Sequence, residues 1–316
     1  PDPRFRSVVE AIIAEERSKQ HTALAEQLTA AMVNGTHAVQ AQGPSSTVVG
    51  DLLYELTPER SLDDLMLSPR VRHEVTRLIE EHQRSELLRS YGLAPRHRVL
   101  LVGPPGNGKT SLAHGLAQAL MVPLLTVRYE GLIGSYLGET ATRLRKVFDY
   151  ARQRPCVLFL DEFDTVGKER GDIHETGEIK RVVSTLLLQM DQLPSHVVIV
   201  TATNHAELLD RAVWRRFELR LELSPPTPAE AARFFSKLSA DFRLAAGYKP
   251  TAIGRQLGGA TYSEIEDLFP EISRRALLES PEPDFAEIVR ERVAAWRARV
   301  TSSTRSSSKR KGKRLG

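Results

Sequence analysis

The chain has 316 residues, 41% of them hydrophobic, and a formal net charge of +4, values typical of a water-soluble protein with roughly two domains. No apolar run approaches the roughly 20 residues that span a bilayer, and the first residues lack a signal peptide's apolar segment, so we expect a cytoplasmic protein without a membrane span. The single cysteine, Cys156, excludes an internal disulfide and a cysteine metal cluster.

The first 58 residues are predicted to form a small helical module and a linker. Apolar residues recur at helical spacing over 5–33. Residues 34–50 are rich in Gly, Ser, Thr and Gln, a composition typical of a linker. We therefore expect a small module tethered to the domain that follows.

Residues 59–225 alternate between helical and strand patterns. Short continuous apolar strands separated by helices indicate a parallel sheet with helices on both of its faces. A helix is expected over 69–91, and further helices are expected over 111–121, 140–153 and 178–190. Five strands are predicted, over 98–102, 124–128, 156–160, 197–201 and 218–223. The region is therefore predicted to be one α/β domain with a five-stranded parallel sheet.

A phosphate-binding loop follows the first of these strands. Gly103–Thr110 reads G-P-P-G-N-G-K-T, and a helical pattern follows it, which is the context that the G-x-x-x-x-G-K-T motif requires. Backbone N–H groups and the helix N-terminus would hold phosphate, Lys109 would reach the β- and γ-phosphates, and Thr110 would bind Mg²⁺. The motif predicts a nucleoside triphosphate site in a P-loop NTPase, formed by Pro105, Gly106, Asn107, Gly108, Lys109, Thr110 and Ser111.

Polar side chains follow two later strands. Asp161 and Glu162 end the run 156–160, and we expect Asp161 to hold Mg²⁺ and Glu162 to act as the base for the attacking water. Asn204 follows the strand over 197–201, where it would orient that water, sense the γ-phosphate, or simply start an Asx turn. Active groups gather at the carboxyl ends of such strands, which favours the sensor role over the Asx turn.

Only helical periodicity remains over 226–300, with helices expected over 229–245, 265–278 and 285–298. Residues 301–316 carry six Lys and Arg residues and no acid, and we expect this basic tail to be disordered. Without these six positive charges the rest of the chain has a net charge of −2. Attraction to nucleic acid is therefore expected only through the tail.

Four motifs together resemble the AAA ATPases over about residues 60–280. The chain is similar in particular to the katanin, spastin and vacuolar-sorting group and to stand-alone bacterial members, mainly through its Leu-Asp-x-Ala-x-x-Arg-Arg-Phe pattern. The resemblance implies an α/β core and a C-terminal all-helical lid. The motifs are Gly103–Thr110, Leu160-Asp161-Glu162, Thr203-Asn204 and Leu209–Phe217.

The resemblance also implies assembly into a ring, usually a hexamer. Arg215 and Arg216 match the arginines that complete a neighbour's ATP site; the alternative is a basic helix end in solvent. Tyr136 and Leu137 match the pore loop that grips a protein substrate; the alternative is that Tyr136 packs within the fold. Residues 168–178 correspond to a second pore loop. Leu65 and Met66 resemble the segment around the adenine, and residues 259–265 resemble the lid motif.

These features predict an ATP-hydrolysing ring motor that threads, unfolds or disassembles proteins. One alternative is a regulatory ATPase that gates a separate effector such as a protease. Another is a nucleic-acid remodeller recruited through the basic tail. By analogy with the family, the amino-terminal helices either select a substrate or adaptor or form an arm that stabilises the ring.

Overall fold

The structure is a computed structural model of the chain, and it describes residues 50, 52–128, 137–163, 176–241, 249–279 and 284–312. These ranges belong to one compact unit, Val49–Gly316. None of the helices in them combines the length and the apolarity that a bilayer crossing requires. The predicted amino-terminal helices over 5–33 lie outside the described residues.

A six-stranded sheet forms the centre of this unit, in the order β1-β3-β4-β5-β2-β6. Five strands, β2 to β6, run parallel and confirm the predicted α/β sheet. The strands are β1 Leu53–Leu56, β2 Arg98–Val102, β3 Leu124–Val127, β4 Cys156–Leu160, β5 Val197–Thr203 and β6 Leu219–Glu222.

The sixth strand corrects the predicted strand number. β1 pairs antiparallel with β3, with Leu53 opposite Val127 and Leu56 opposite Leu124. Its residues fall within the segment that we assigned to the amino-terminal module and linker. Only Leu53 of its four residues is buried. The sequence Leu-Tyr-Glu-Leu is neither a continuous apolar run nor a clear alternation, so it was not recognised as a strand.

Ten α-helices lie in the described ranges. The predicted helix over 69–91 is two helices, α1 and α2, and α6 is a single short turn. The helices are α1 Pro69–Gln83, α2 Ser85–Ser90, α3 Lys109–Ala119, α4 Leu137–Ala151, α5 Thr176–Asp191, α6 Arg211–Trp214, α7 Pro228–Asp241, α8 Pro250–Gln256, α9 Tyr262–Leu278 and α10 Phe285–Gly312.

Both faces of the sheet are covered, which explains the continuous apolar strands. All five residues of β4 are buried. Leu158 packs in a cluster with Phe148 of α4 on one face, while Phe159 packs with Leu112 and Leu116 of α3 on the other. Alternate residues of one strand thus enter two separate cores, and every second position must be apolar on each side.

The carboxyl-terminal helices α7 to α10 surround a third core. Phe235 and Phe269 are fully buried there, with ring centroids 4.7 Å apart. Met66, from the segment before α1, also packs against this core, whereas its neighbour Leu65 packs in a core of the sheet. The segment 60–67, which we call the strap, therefore contacts both the sheet domain and the helical lid.

The last helix differs from the prediction, because it continues to Gly312 where a disordered tail was expected from residue 301. Residues 301–311 contain neither proline nor glycine. Adding residues to an existing helix is much easier than starting one, so a polar segment can extend a helix that packing has already formed. The predicted domain boundaries near residues 58 and 225 stay predictions.

Candidate active site

The phosphate loop connects β2 to α3 and begins at a glycine that the packing requires. Gly103 has a φ of 152°, and a Cβ at this position would lie 2.2 Å from the carbonyl oxygen of Leu223. The N–H of Leu223 in turn donates to the carbonyl of Val102 at 2.7 Å. The end of β6 therefore presses directly on the start of the loop, and only glycine fits there.

Lys109 and Asn204 lie together at the carboxyl edge of the sheet. The buried Lys109 ammonium donates to the carbonyls of Gly103 and Pro104 at 2.7 and 2.9 Å, and to Asn204 Oδ1 at 2.6 Å. Asn107 is buried within the loop, where its amide donates to the carbonyl of Pro104 at 3.3 Å. The loop is thus braced by its own side chains and by the strand next to it.

The two acids that follow β4 reach the same edge. The Thr110 hydroxyl donates to Asp161 Oδ2 at 3.2 Å, and the Glu162 N–H donates to Asp161 Oδ1 at 2.8 Å. Glu162 has a φ of 46°, a left-handed conformation that costs a non-glycine residue on the order of 1–3 kcal/mol. Such strain persists only where the surroundings enforce it, and it is concentrated at functional sites.

The residue after Glu162 is anchored on both its backbone and its side chain. The N–H of Phe163 donates to the carbonyl of Ala202 in β5 at 2.9 Å. Its buried ring packs edge-on against Phe217, with centroids 6.4 Å apart. These contacts fix the turn that carries Glu162.

The two candidate arginines lie elsewhere. Arg216 Nε contacts Asp191 Oδ2 at 2.9 Å, and the other oxygen of Asp191 contacts Arg98 at 3.4 Å. Arg98 is the first residue of β2, whereas the phosphate loop follows its last residue. Arg215 caps the end of α6 and is exposed. Arg216 is thus paired near the amino end of β2, and Arg215 is exposed at the end of α6.

A cavity of about 370 Å³ joins the phosphate loop to the strap and the lid. The predicted residues Leu65, Met66, Tyr262 and Ser263 line it. It is also lined by the whole set of predicted nucleotide residues, 105–111, and by Asp161, Glu162 and Asn204. The structure thus brings together every predicted nucleotide and metal residue. The volume of the cavity is typical of a small-molecule site.

The lid closes this cavity through direct contact with the loop. The N–H of Ser263, in the first turn of α9, donates to the carbonyl of Gly106 at 2.9 Å. Gly106 has a φ of 74°, and a Cβ there would lie 2.8 Å from Thr261 Oγ1. A side chain at residue 106 would therefore collide with the lid, so this glycine is required by tertiary contact as well as by the turn.

The residues present fit a nucleoside triphosphate and Mg²⁺. The first turn of α3 supplies N–H groups without intrahelical partners, together with the helix dipole, at the end of a glycine-containing loop. The Thr110 hydroxyl and the Asp161 carboxylate, 3.2 Å apart, supply the hard oxygen ligands that Mg²⁺ prefers. The chemistry of the donors thus agrees with both predicted ligands.

Some residues were predicted and cannot be placed, and others were missed. Tyr136 and the second pore loop up to residue 175 lie outside the described residues, as does the side chain of Leu137. The cavity also contains Arg60, Phe234 and Glu266, which the sequence did not single out. Arg60 and Glu266 form an ion pair at 3.1 Å across 206 residues of chain, and no local motif signals such a contact.

Comparison with known proteins agrees with this site. The model of the ATPase family associated with various cellular activities (AAA) matches residues 99–225, which contain the phosphate loop, both acids and both arginines. The AAA family ATPase y4kL of Sinorhizobium fredii is 36% identical over 285 residues, covering 88% of this chain and 86% of that protein.

Two further relatives are longer than the aligned region. The ATP-dependent zinc metalloprotease FtsH 1 of Salinibacter ruber is 36% identical over 66% of this chain and 31% of its own length. The proteasome-activating nucleotidase of Methanoculleus marisnigri is 40% identical over 45% of this chain and 36% of its own length. With its nucleotide cavity, its family match and a relative aligned along most of both chains, this protein belongs to the AAA family and is an ATPase.

Proposed function

We propose that six copies of this chain form a ring that uses ATP hydrolysis to pull on protein substrates. The proposal assigns the phosphate loop of each copy to ATP and the arginines of the next copy to the same ATP. Tyr136 and Leu137 would grip the substrate in the central pore. The result would be threading, unfolding or disassembly of the bound protein.

The residues around the cavity have distinct roles in this proposal. Thr110 and Asp161 would hold Mg²⁺, which neutralises phosphate charge when bound. Glu162 would accept a proton from the attacking water, and its anchored turn holds its backbone beside Asp161. Asn204, held by Lys109, would position that water or sense the terminal phosphate. Residues 105–111 would bind the phosphates through backbone N–H groups and Lys109.

The location of Arg216 carries the case for a ring. Its guanidinium is held by Asp191 beside Arg98, at the amino end of β2, while the phosphate loop begins at the carboxyl end. The five residues of β2 span roughly 13 Å, and Arg216 is paired near the end of that strand opposite the phosphate loop, which supports a role outside the ATP site of its own chain. A guanidinium that stabilises phosphate charge is supplied in trans in several NTPases.

The names of the relatives support a protein as the substrate. They include an ATP-dependent zinc metalloprotease, a proteasome-activating nucleotidase and a 26S proteasome regulatory subunit 8 homolog. These names also favour the second candidate, a regulatory ATPase that gates a separate protease. Both candidates need the same ATP site, and the pore residue Tyr136 distinguishes them.

Complementation between two inactive variants tests the ring. We expect Arg216→Ala to retain ATP binding but to lose ATP hydrolysis by at least a hundredfold, because its neighbour's site lacks the guanidinium. Lys109→Ala should lose activity through its own site. Mixing the two should restore part of the activity, since some interfaces then join an intact loop to an intact arginine.

Wild-type turnover per subunit should also rise with protein concentration as rings assemble. Arg290→Ala, which removes an exposed arginine of α10, is the matched control and should behave as wild type. A mixture that co-assembles yet stays inactive, together with a turnover that does not depend on concentration, would show that each chain hydrolyses ATP alone.

A further inference from the structure

The positive charge of the chain is concentrated at its carboxyl end. The last acidic residue is Glu291, and residues 292–316 contain nine Lys and Arg residues. The net charge of +4 is therefore the sum of +9 in this segment and −5 in the first 291 residues. A polyanion would be repelled by the net charge of the body and attracted by this segment.

The helix α10 holds most of this segment as the continuation of a packed helix. Trp296 is buried in the third core, whereas Arg297 and Arg299 are exposed in the next turn. Arg299 makes one long ion pair, at 3.7 Å, with Glu271 of α9. The helix then continues to residue 312, so roughly 24 Å of helix follow the buried tryptophan. We refer to residues 297–312 as the basic helix, whose start is fixed by the lid core.

The charges of the basic helix have no acidic neighbours along the helix itself. A helical Lys or Arg is neutralised locally by an acid three or four residues away. Glu291 is six residues before Arg297, and no acid follows it. Arg305 and Lys309 are instead two like charges four residues apart, a spacing at which they destabilise a helix. A bound polyanion would remove this repulsion, so the helix and its ligand would stabilise each other.

The composition of the basic helix favours nucleic acid over a membrane. Between residues 301 and 311 every residue that is not Lys or Arg is Ser or Thr, so this stretch has no apolar face to insert into a bilayer. Cations and hydroxyl groups are the side chains that contact phosphate oxygens in DNA. Single-stranded nucleic acid is held largely by stacking on aromatic rings, and no aromatic residue follows the buried Trp296.

We propose that the basic helix binds the phosphates of duplex DNA without regard to base sequence and thereby anchors the ATPase on DNA. Duplex DNA carries one negative charge per roughly 1.7 Å of its axis, and its major groove, roughly 12 Å wide, admits an α-helix. A helix of roughly 24 Å is long enough to cross this groove. DNA would be the anchor and not the molecule that is pulled. The inference therefore goes beyond the proposed function, and it does not depend on ring assembly.

Fluorescence anisotropy of a labelled duplex of random sequence, titrated with the full chain at several salt concentrations, tests the proposal. A helix that neutralises about six phosphates gives a slope of about −5 for the logarithm of the association constant against the logarithm of the salt concentration. Replacing three cations together should make this slope less steep by about 3 and raise the Kd at low salt at least tenfold. The three substitutions are Lys309→Gln, Arg310→Gln and Lys311→Gln.

A matched control changes the net charge by the same amount elsewhere on the surface. It combines Arg70→Gln, Arg77→Gln and Arg89→Gln, which replace exposed arginines of α1 and α2. This variant should keep the wild-type slope, because its arginines lie outside the basic helix. Both triple variants should hydrolyse ATP at the wild-type rate, which shows that they are folded.

A further variant tests whether the helix itself is needed. Ser307→Pro keeps every charge but interrupts the basic helix, and it should weaken DNA binding several-fold while ATP hydrolysis is unchanged. Unchanged DNA affinity in Ser307→Pro would overturn the role of the helix. The proposal as a whole is overturned if neutralising residues 309–311 leaves the slope and the Kd unchanged, or if phosphatidylserine vesicles bind the chain as tightly as the duplex does.

Discussion

At the scale of single residues, the site depends on backbone conformations that few side chains tolerate. A side chain at residue 103 would overlap the carbonyl of Leu223, and a side chain at residue 106 would overlap Thr261. Glu162 is held at a positive φ, between its bond to Asp161 and the anchored Phe163. The side chains of the proposed ATP site are therefore positioned by backbone geometry that close packing enforces.

Gly103→Ala should destabilise the folded protein by about 2–5 kcal/mol, because a Cβ overlaps the Leu223 carbonyl and the φ of 152° is itself unfavourable for alanine. The midpoint of urea unfolding measures this loss. Gly92→Ala is the matched control: its φ is 72° but nothing lies within 4 Å of a Cβ there, so only about 1–2 kcal/mol should be lost. Equal losses in the two variants would show that the contact with Leu223 is unimportant.

The sequence predicted the residues of the site that belong to motifs. Residues 105–111, Asp161 and Glu162 were found because they are polar or glycine-rich segments that directly follow an apolar strand in the sequence. Their mutual contacts follow from the shared edge of a parallel sheet. Phe234 and Arg60 could not be predicted in this way, because each enters the cavity from a distant segment whose local pattern is that of an ordinary helix or loop. Their position depends on how the lid packs.

At the scale of elements, β2 connects two charged regions. Its carboxyl end leads into the phosphate loop, and its amino end lies in a network of ion pairs. Glu218 organises this network: its carboxylate accepts from the N–H groups of His97 and Arg98 at 2.8 and 3.1 Å and from the Arg98 guanidinium at 2.7 Å. One carboxylate therefore ties the starts of β2 and β6 together, and the same Arg98 reaches the Asp191 that holds Arg216.

Glu218→Gln should lower the free energy of unfolding by about 1–3 kcal/mol at pH 7, the usual contribution of hydrogen bonds to a charged group. Burial alone would raise the pKa of Glu218, but the bonds from His97 and Arg98 outweigh it and leave the pKa below its ordinary value. A lowered pKa stabilises the fold above a pH of about 4.5, and this contribution is lost as the pH falls further.

The difference in unfolding free energy between wild type and Glu218→Gln should therefore shrink as the pH falls below about 4.5. Denaturant titrations at pH 7 and at several lower values measure it. Glu222→Gln, on the exposed side of the same strand, should show little change at either pH. A Glu218→Gln difference that stayed constant down to pH 3 would contradict the proposed role of the charge.

The elements that the sequence predicted well are those with long apolar patterns. The five parallel strands are confirmed because each is a continuous run buried on both faces. β1 was missed because three of its four residues are not buried, and its place in the sheet comes from pairing with β3 rather than from its own pattern. The extension of α10 was missed because the polar composition of residues 301–316 was taken to indicate disorder. Composition alone does not show that a polar segment can continue a helix that is already formed.

At the scale of the whole molecule, the question is whether the ATPase pulls on its substrate or only gates a partner. A Glu162→Gln variant, expected to bind ATP and retain its substrate, would supply the substrate by pull-down. With that protein as the probe, Tyr136→Ala should lower the amount of substrate unfolded per ATP hydrolysed by at least tenfold, because the pore loses its aromatic grip.

Unfolding of the captured protein can be followed through a fused fluorescent reporter. Tyr91→Ala removes a tyrosine that is 78% exposed and lies outside the cavity, and it should leave the ratio of unfolding to hydrolysis unchanged. If Tyr136→Ala leaves this ratio unchanged too, threading is excluded and the gating function is favoured.

The contact between the rings of Phe163 and Phe217 has a mechanical consequence. Phe163 directly follows Glu162, and Phe217 directly follows Arg216. In the proposed assembly, Glu162 belongs to the ATP site of its own chain and Arg216 to the ATP site of the neighbouring chain. Any relaxation of the strained turn at Glu162 would displace a buried ring that leans on the segment bearing Arg216. In the proposed ring, this contact would connect the nucleotide site of one protomer to the arginine that serves the next protomer.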